Sequence, residues 1–245
     1  MTFYDDGIAL DAVLERAGEE KGPLMIVLHG FTSSKDKPHT LLACEAMREA
    51  GFSTLRVDLY GHGRSGGEFR KHTLYKWISN VMTVIREVRK FDFVTEIWLS
   101  GHSQGGLVAA LVAAMEPEYV KGLVLRAPAF MIPRCAREGN MLGVRFDRVP
   151  DESEIFKGLT LDGEYIRVAR TIHPEEAVDG FAGPVLILHG DQDDVVPLAD
   201  SKAAAERYRR GELMVLQGES HHFDHCQAEM LRVIRDWLQR PEIRA

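Results

Sequence analysis

A chain of 245 residues with 45% hydrophobic content can bury one large core, and its length fits a single α/β domain over residues 1–245 as well as two small ones. The formal net charge of −7 supplies no basic stripe for a phosphate backbone, which argues against nucleic acid and for a small-molecule partner. Cys44, Cys135 and Cys226 are odd in number and unrelated in spacing, so they read as free thiols of a reducing compartment and not as a disulfide framework or a zinc knuckle.

The N-terminal segment MTFYDDGIALDAVLERAG has no basic region followed by an apolar one, and no apolar run reaches membrane-spanning length; a cytoplasmic protein without a membrane partner is expected. The segment itself reads as a hairpin, with FY and IALDAVLE flanking the turn DDG. After it come short apolar runs: LMIVLHG (Leu24 to Gly30), STLRVDLYG (Ser53 to Gly61), EIWLSG (Glu96 to Gly101), GLVLRAP (Gly122 to Pro128), PVLILHG (Pro184 to Gly190) and LMVLQG (Leu213 to Gly218). Between them lie stretches of helical period, HTLLACEAMREAG with Gly51 as its C-cap and LYKWISNVMTVIREVRK, and AEMLRVIRDWLQR follows the last run. Continuous apolar strands alternating with helices predict an α/β fold with a mostly parallel twisted sheet covered on both faces. One interval breaks the rhythm. The strands ending at Pro128 and beginning at Pro184 are separated by more than fifty residues, too many for a connection plus a helix, so residues 129–178 read as an inserted cap.

Ligands of an open parallel sheet bind beyond the carboxyl ends of its strands, so the residues just after each run are the ones to inspect. GHSQG places Ser103 between a strand and a helix, with small neighbours that permit the sharp turn exposing a nucleophilic oxygen. A serine hydroxyl needs a base to take its proton, and the base needs an acid to orient it. LHGDQDDVVP and GESHHFDH follow two later runs in that order, acid before histidine. Spacing leaves Asp191, Asp193 and Asp194 open as the acid and His221, His222 and His225 open as the base. In LHGFTSS, the backbone N–H of Phe31 could pair with that of Gln104 as an oxyanion hole. A metal is the competing use of HHFDH, but a zinc-protease helix carries Glu directly after its first His, where this chain has His222; neither metal nor cofactor is expected. His29, His102 and His189 read as structural hydrogen-bonders. GHGRSGG (Gly61 to Gly67) lacks the Lys-Ser/Thr ending of a phosphate loop and reads as a tight loop at a strand end.

The segments HGFTSS, LRVDLYGHGRSGGEF, HTLYKW, DFVTEIWLSGHSQGG, HGDQDDVVP and GESHHFDH together resemble the α/β-hydrolase superfamily, and more closely the small bacterial feruloyl (cinnamoyl) esterases. The resemblance implies an α/β-hydrolase fold with a small inserted cap, and a serine carboxylester hydrolase acting on hydroxycinnamoyl esters. It implies Ser103 as nucleophile, Asp193 as acid, His221 as base, and Phe31 and Gln104 as oxyanion donors. It also implies that the cap holds the aromatic part of a small-molecule aryl ester, with Tyr165 near the phenol. The aromatic and thioether residues of the insert, Phe130, Met131, Met141, Phe146, Phe156 and Tyr165, suit that use. A homodimer is compatible with this reading; a monoacylglycerol lipase or a thioesterase would share the triad and differ in the cap.

Overall fold

The computed structural model describes residues 1–141, 143–155 and 158–244. The opening hairpin is β1 (Thr2–Asp5) and β2 (Ile8–Glu15), paired antiparallel with Phe3 opposite Leu10. Its turn uses Asp6 and Gly7, both at positive φ, as a right-twisted two-residue hairpin requires. Then follow β3 (Gly22–Leu28), α1 (Pro38–Glu49), β4 (Ser53–Val57), α2 (Leu74–Val88), β5 (Val94–His102), α3 (Gln104–Met115) and β6 (Val120–Arg126). The interval after β6 holds α4 (Ile132–Arg137), β7 (Asn140–Met141), β8 (Val144–Arg145), β9 (Glu152–Glu154), β10 (Thr160–Asp162), α5 (Glu164–Arg170) and α6 (Pro174–Gly180). The chain closes with β11 (Val185–Gly190), α7 (Leu198–Arg207), β12 (Gly211–Leu216), α8 (Gln227–Leu238) and α9 (Pro241–Arg244).

Eight strands form one sheet in the order β1-β2-β4-β3-β5-β6-β11-β12. The hairpin joins antiparallel through β2 and β4, and every pairing from β4 to β12 is parallel. Leu24 to Leu28 are completely buried on both sides of β3, which is what an uninterrupted apolar run encodes. One core lies beneath α2 and α3, with Ile26, Trp77 and Leu107; the other lies beneath α1 and α8, with Met25, Trp98 and Trp237. Helix α3 is buried from Gln104 through Ala113 and so runs through the centre of its layer.

The insert is made of small pieces. β7 pairs with β8 and β9 with β10 as two-stranded ribbons, α4 packs on α5, and α6 packs on α3. Ile132, Ala136, Tyr165 and Ala169 extend the main core upward into it. Phe156, one of the aromatic residues singled out in this segment, lies outside the described residues. Among the described residues no helix is long and apolar enough to cross a membrane. The three cysteines are free, with Cys44 buried and Cys135 and Cys226 partly buried.

Candidate active site

Ser103 stands alone between β5 and α3 with φ 54° and ψ −121°, a conformation that costs a non-glycine residue energy and persists only where the surroundings over-determine it. The surroundings do so. Its N–H donates to Arg126 O at 2.9 Å, and its carbonyl accepts from Gly106 N–H at 2.9 Å and Ala129 N–H at 3.0 Å. The flanking glycines are required by space: a Cβ on Gly101 would lie 2.2 Å from Gly105 O, and one on Gly105 would lie 2.3 Å from His29 O. The turn therefore lifts the serine out of the sheet at the carboxyl end of its strand.

The candidate acids and bases lie on the loops after β11 and β12. Of the three candidate aspartates, Asp193 meets a histidine: the Nδ1–H of His221 donates to its Oδ2 at 2.8 Å. Its Oδ1 accepts from the N–H groups of Val195 (2.9 Å) and Val196 (2.8 Å), and His189 Nε2 lies 3.2 Å from Oδ2. Burial alone would push this carboxyl up, but the hydrogen bonds from His189, His221 and the Val196 N–H hold it well below the usual carboxylate range. It is an anion with all its lone pairs directed. Asp191 instead accepts from Gly218 N–H at 2.6 Å, and Asp194 is exposed. His222 lines the rim of the same cavity as His221, and His225 turns outward with its Nδ1 3.5 Å from Glu219.

The three strand-end histidines are buried and bonded. His29 Nε2 accepts from Leu59 N–H at 3.0 Å while its Nδ1–H donates to Gly30 O at 2.8 Å. His102 Nε2–H donates to the His221 carbonyl at 2.8 Å, and burial drives its pKa well down, so it holds the His221 backbone as a neutral ring. His189 does more than its position suggests, because it touches the Asp193 carboxylate besides Val196 O and Ser201 Oγ. Sequence reasoning missed that contact, although His189 sits four residues before Asp193 in the same segment LHGDQDDVVP.

Ser103, Gln104, His221 and Phe31 open on one cavity of about 380 Å³, closed from above by Ala129, Met131, Ile132 and Tyr165 of the insert and flanked by Val195. Gln104 is the first residue of α3, where a helix N–H has no acceptor within the helix. Tyr165 is fully buried, and its hydroxyl donates to Gln104 Oε1 at 2.7 Å. That bond links the insert to an oxyanion candidate and was not foreseen, because nothing local pairs residues so distant in the chain. With Nδ1–H bound to a carboxylate, a neutral His221 offers its Nε2 lone pair to a hydroxyl; the set can move a proton from serine and stabilise a developing oxyanion.

Below Phe31, the loop after β3 is fixed by Lys35, a completely buried lysine. Its Nζ lies 2.8 Å from Asp58, 2.6 Å from Asp11 and 3.2 Å from Asp36. Asp58 also accepts the N–H of Lys35 at 2.7 Å and of Arg64 at 2.9 Å. A buried ammonium survives only with such partners.

A parallel sheet carrying a serine on a strained strand-to-helix turn, with a histidine–aspartate pair from the loops after its last two strands, is the architecture of the α/β hydrolases. The chain belongs to the Hydrolase_4 family, serine aminopeptidase S33, whose pattern matches residues 19–151, more than half of its length. Est1E from Butyrivibrio proteoclasticus, solved with ferulic acid bound, superposes with a TM-score of 0.95 at 43% identity over 97% of each chain. Human protein ABHD12B is 27% identical over 238 residues, covering 92% of this chain. Human mitochondrial palmitoyl-protein thioesterase ABHD10 is 25% identical over 229 residues, covering 85% of this chain and 69% of its own length. The chain spans 63% of the length of ABHD12B.

Proposed function

We propose that this protein is a serine carboxylic ester hydrolase that cleaves hydroxycinnamoyl esters, feruloyl, p-coumaroyl and caffeoyl, through an acyl-enzyme. Ser103 Oγ attacks the ester carbonyl as His221 Nε2 takes its proton, and Asp193 holds the imidazole in the required tautomer and stabilises its charged form. The N–H groups of Phe31 and Gln104 receive the oxyanion. Collapse expels the alcohol, which leaves with the proton from His221; water then attacks the acyl-enzyme by the same route and releases the free acid. No step calls on a metal or a cofactor.

The observation that carries the substrate class is the pairing of this cavity with a solved relative: Ala129, Met131, Ile132 and Tyr165 of the insert line it from above beside Phe31 and Val195, and the chain matches the ferulic acid complex of Est1E over 97% of its length. An aromatic acyl group buries about 150–250 Å², worth several kcal/mol at about 25 cal/mol per Å², enough to favour ferulate over acetate by orders of magnitude. In this reading residues 129–178 serve as the cap, and Tyr165 lies against the ring. Since its proton goes to Gln104, Tyr165 can meet a substrate phenol only as an acceptor. The test is a panel of methyl ferulate, p-nitrophenyl acetate, a monoacylglycerol and an acyl thioester, run beside Ser103→Ala. Ferulate should have the highest kcat/KM; faster turnover of the acylglycerol or the thioester would move the assignment to a lipase or a thioesterase.

A further inference from the structure

The segment GHGRSGG has no part in the steps above, yet it lies directly beneath the oxyanion loop. Gly61 and Gly63 both take positive φ (71° and 56°), and a Cβ on Gly63 would fall 2.1 Å from the Asp58 carboxyl, so the chain folds tightly enough to direct His62 inward. The His62 ring is buried, packed among His29 (5.3 Å between centroids), Trp77 (4.9 Å), Phe69 (5.0 Å) and His72 (5.0 Å), edge-on to Trp77 and His72. Its Nδ1 is 3.0 Å from Tyr60 O, an acceptor, so Nδ1 carries the proton and Nε2 is a lone pair. That lone pair receives the N–H of Thr32 at 3.2 Å. Thr32 has φ 54°, a conformation unfavourable for a β-branched residue, and its N–H belongs to the peptide that immediately follows Phe31.

The other end of the same device is equally fixed. Tyr60 O also accepts from Trp77 Nε1 at 3.2 Å, and Tyr60 N–H donates to Asn80 Oδ1 at 2.8 Å, so helix α2 anchors the residue that orients His62. Across the ring stack, His29 Nδ1–H holds Gly30 O, which in a trans peptide points opposite to the Phe31 N–H. The two peptides on either side of Phe31 are thus gripped by two neighbouring imidazoles. Burial, aided by the nearby His29 and His72, pushes His62 down to about 2, so it stays neutral and keeps its acceptor.

We propose that His62 is a positioning residue for catalysis: by accepting the Thr32 N–H it holds the strained peptide after Phe31, and so aims the Phe31 N–H at the developing oxyanion. This rests on the ester-hydrolase reading and on Phe31 as an oxyanion donor. A group that only packs the loop would affect folding or substrate binding, whereas one that aims a donor affects the transition state. His62→Leu removes the acceptor, and His62→Gln returns a carbonyl oxygen near the place of Nε2. Four quantities decide: kcat and KM for methyl ferulate, the rate at which a fluorophosphonate phosphonylates Ser103, and Tm. Complete loss of an oxyanion donor costs about 100- to 1,000-fold in kcat, so a misaimed one should cost about 10- to 100-fold, with KM changed less than about twofold. Labelling of Ser103 in His62→Leu should slow by the same factor, and His62→Gln should recover to within about threefold of wild type. If His62→Leu does not fold, His62→Asn replaces it, since its shorter carboxamide stops short of Thr32 and should show the same loss. Wild-type kcat and labelling rates in the folded variant, or equal losses in the Leu and Gln variants, overturn the role of His62 alone. A wild-type Ser103 that the fluorophosphonate does not label overturns the hydrolase reading and this proposal with it.

Discussion

The loops at the strand ends and the insert above them face the same cavity but are built to different standards. In the loops, each polar group of the reacting set has several directed partners: Asp193 receives two backbone N–H groups and two imidazoles, and Ser103 is bound through both its N–H and its carbonyl. The insert consists of helices of six and seven residues and ribbons of two- and three-residue strands. Apart from the Tyr165–Gln104 bond, its charged ties to the rest of the chain are ion pairs at the surface, Arg70 with Asp162 and Arg134 with Asp200. Exposed pairs of this kind contribute little. On the proposed function the difference is a division of labour: proton transfer tolerates no freedom of position and is placed where the sheet removes it, while selection of the acyl group falls to a part that can vary without disturbing the sheet.

Breaking the loop side should give the largest effects and should not discriminate among substrates. Ser103→Ala and His221→Ala are expected to lower kcat by about 10⁴- to 10⁶-fold on acetate and ferulate esters alike, and the double variant should lose little more, because the residues act as a unit. A double variant much slower than either single one would show that they do not. Asp193→Asn should cost about 10⁴-fold through the wrong tautomer of His221. It should also reveal the buried anion in the acid limb of stability. The Asp193 carboxyl is held below its usual value in the fold, so its stabilisation is complete above the unfolded pKa of about 3.9 and is lost as pH falls through the lower folded value. Melting curves of wild type and Asp193→Asn should therefore differ most near neutrality and converge below about pH 4; a gap that widens in acid would contradict the sign.

The insert side should give smaller, substrate-dependent effects, and Tyr165 sharpens the comparison because it belongs to both sides. Losing one hydrogen bond to a substrate phenol is worth about 0.5–1.5 kcal/mol, or about two- to twelvefold in kcat/KM. If Tyr165 acts on the phenol, Tyr165→Phe slows ferulate and p-coumarate esters by that factor and spares unsubstituted cinnamate. An equal slowing of all three, and of acetate esters as well, would instead trace its effect to Gln104 and the oxyanion side. The smallest change is expected at the rim, where Arg134→Ala removes an ion pair with a half-exposed guanidinium: less than about 1 kcal/mol, or under about 4 °C in Tm, with kcat unchanged.

The same contrast governs what could be read before the fold was seen. Strands buried on both faces write themselves as unbroken apolar runs, so LMIVLHG and PVLILHG announce β3 and β11, and the order serine, acid, histidine announces the superfamily. Boundaries were less legible: STLRVDLYG reads as one strand, but β4 ends at Val57 because Asp58 turns inward to meet Lys35. The choice among Asp191, Asp193 and Asp194 is invisible to spacing, since all three sit on one turn and only the approach of His221 separates them. The elements of the insert carried no periodicity long enough to be read. The bonds between Tyr165 and Gln104 and between His62 and Thr32 join residues far apart in sequence, and local pattern holds no record of such pairs.

Lys35 has a practical consequence for anyone fixing this protein to a solid support. Lys21, Lys37, Lys71, Lys90 and Lys202 are exposed, whereas the Lys35 amine is sealed among Asp11, Asp36 and Asp58, protonated and out of reach of an electrophile. Amine-directed immobilisation would consume the outer lysines and leave the clamp under the Phe31 loop untouched. Amine chemistry on this surface thus spares the cation that holds together the loop after β3.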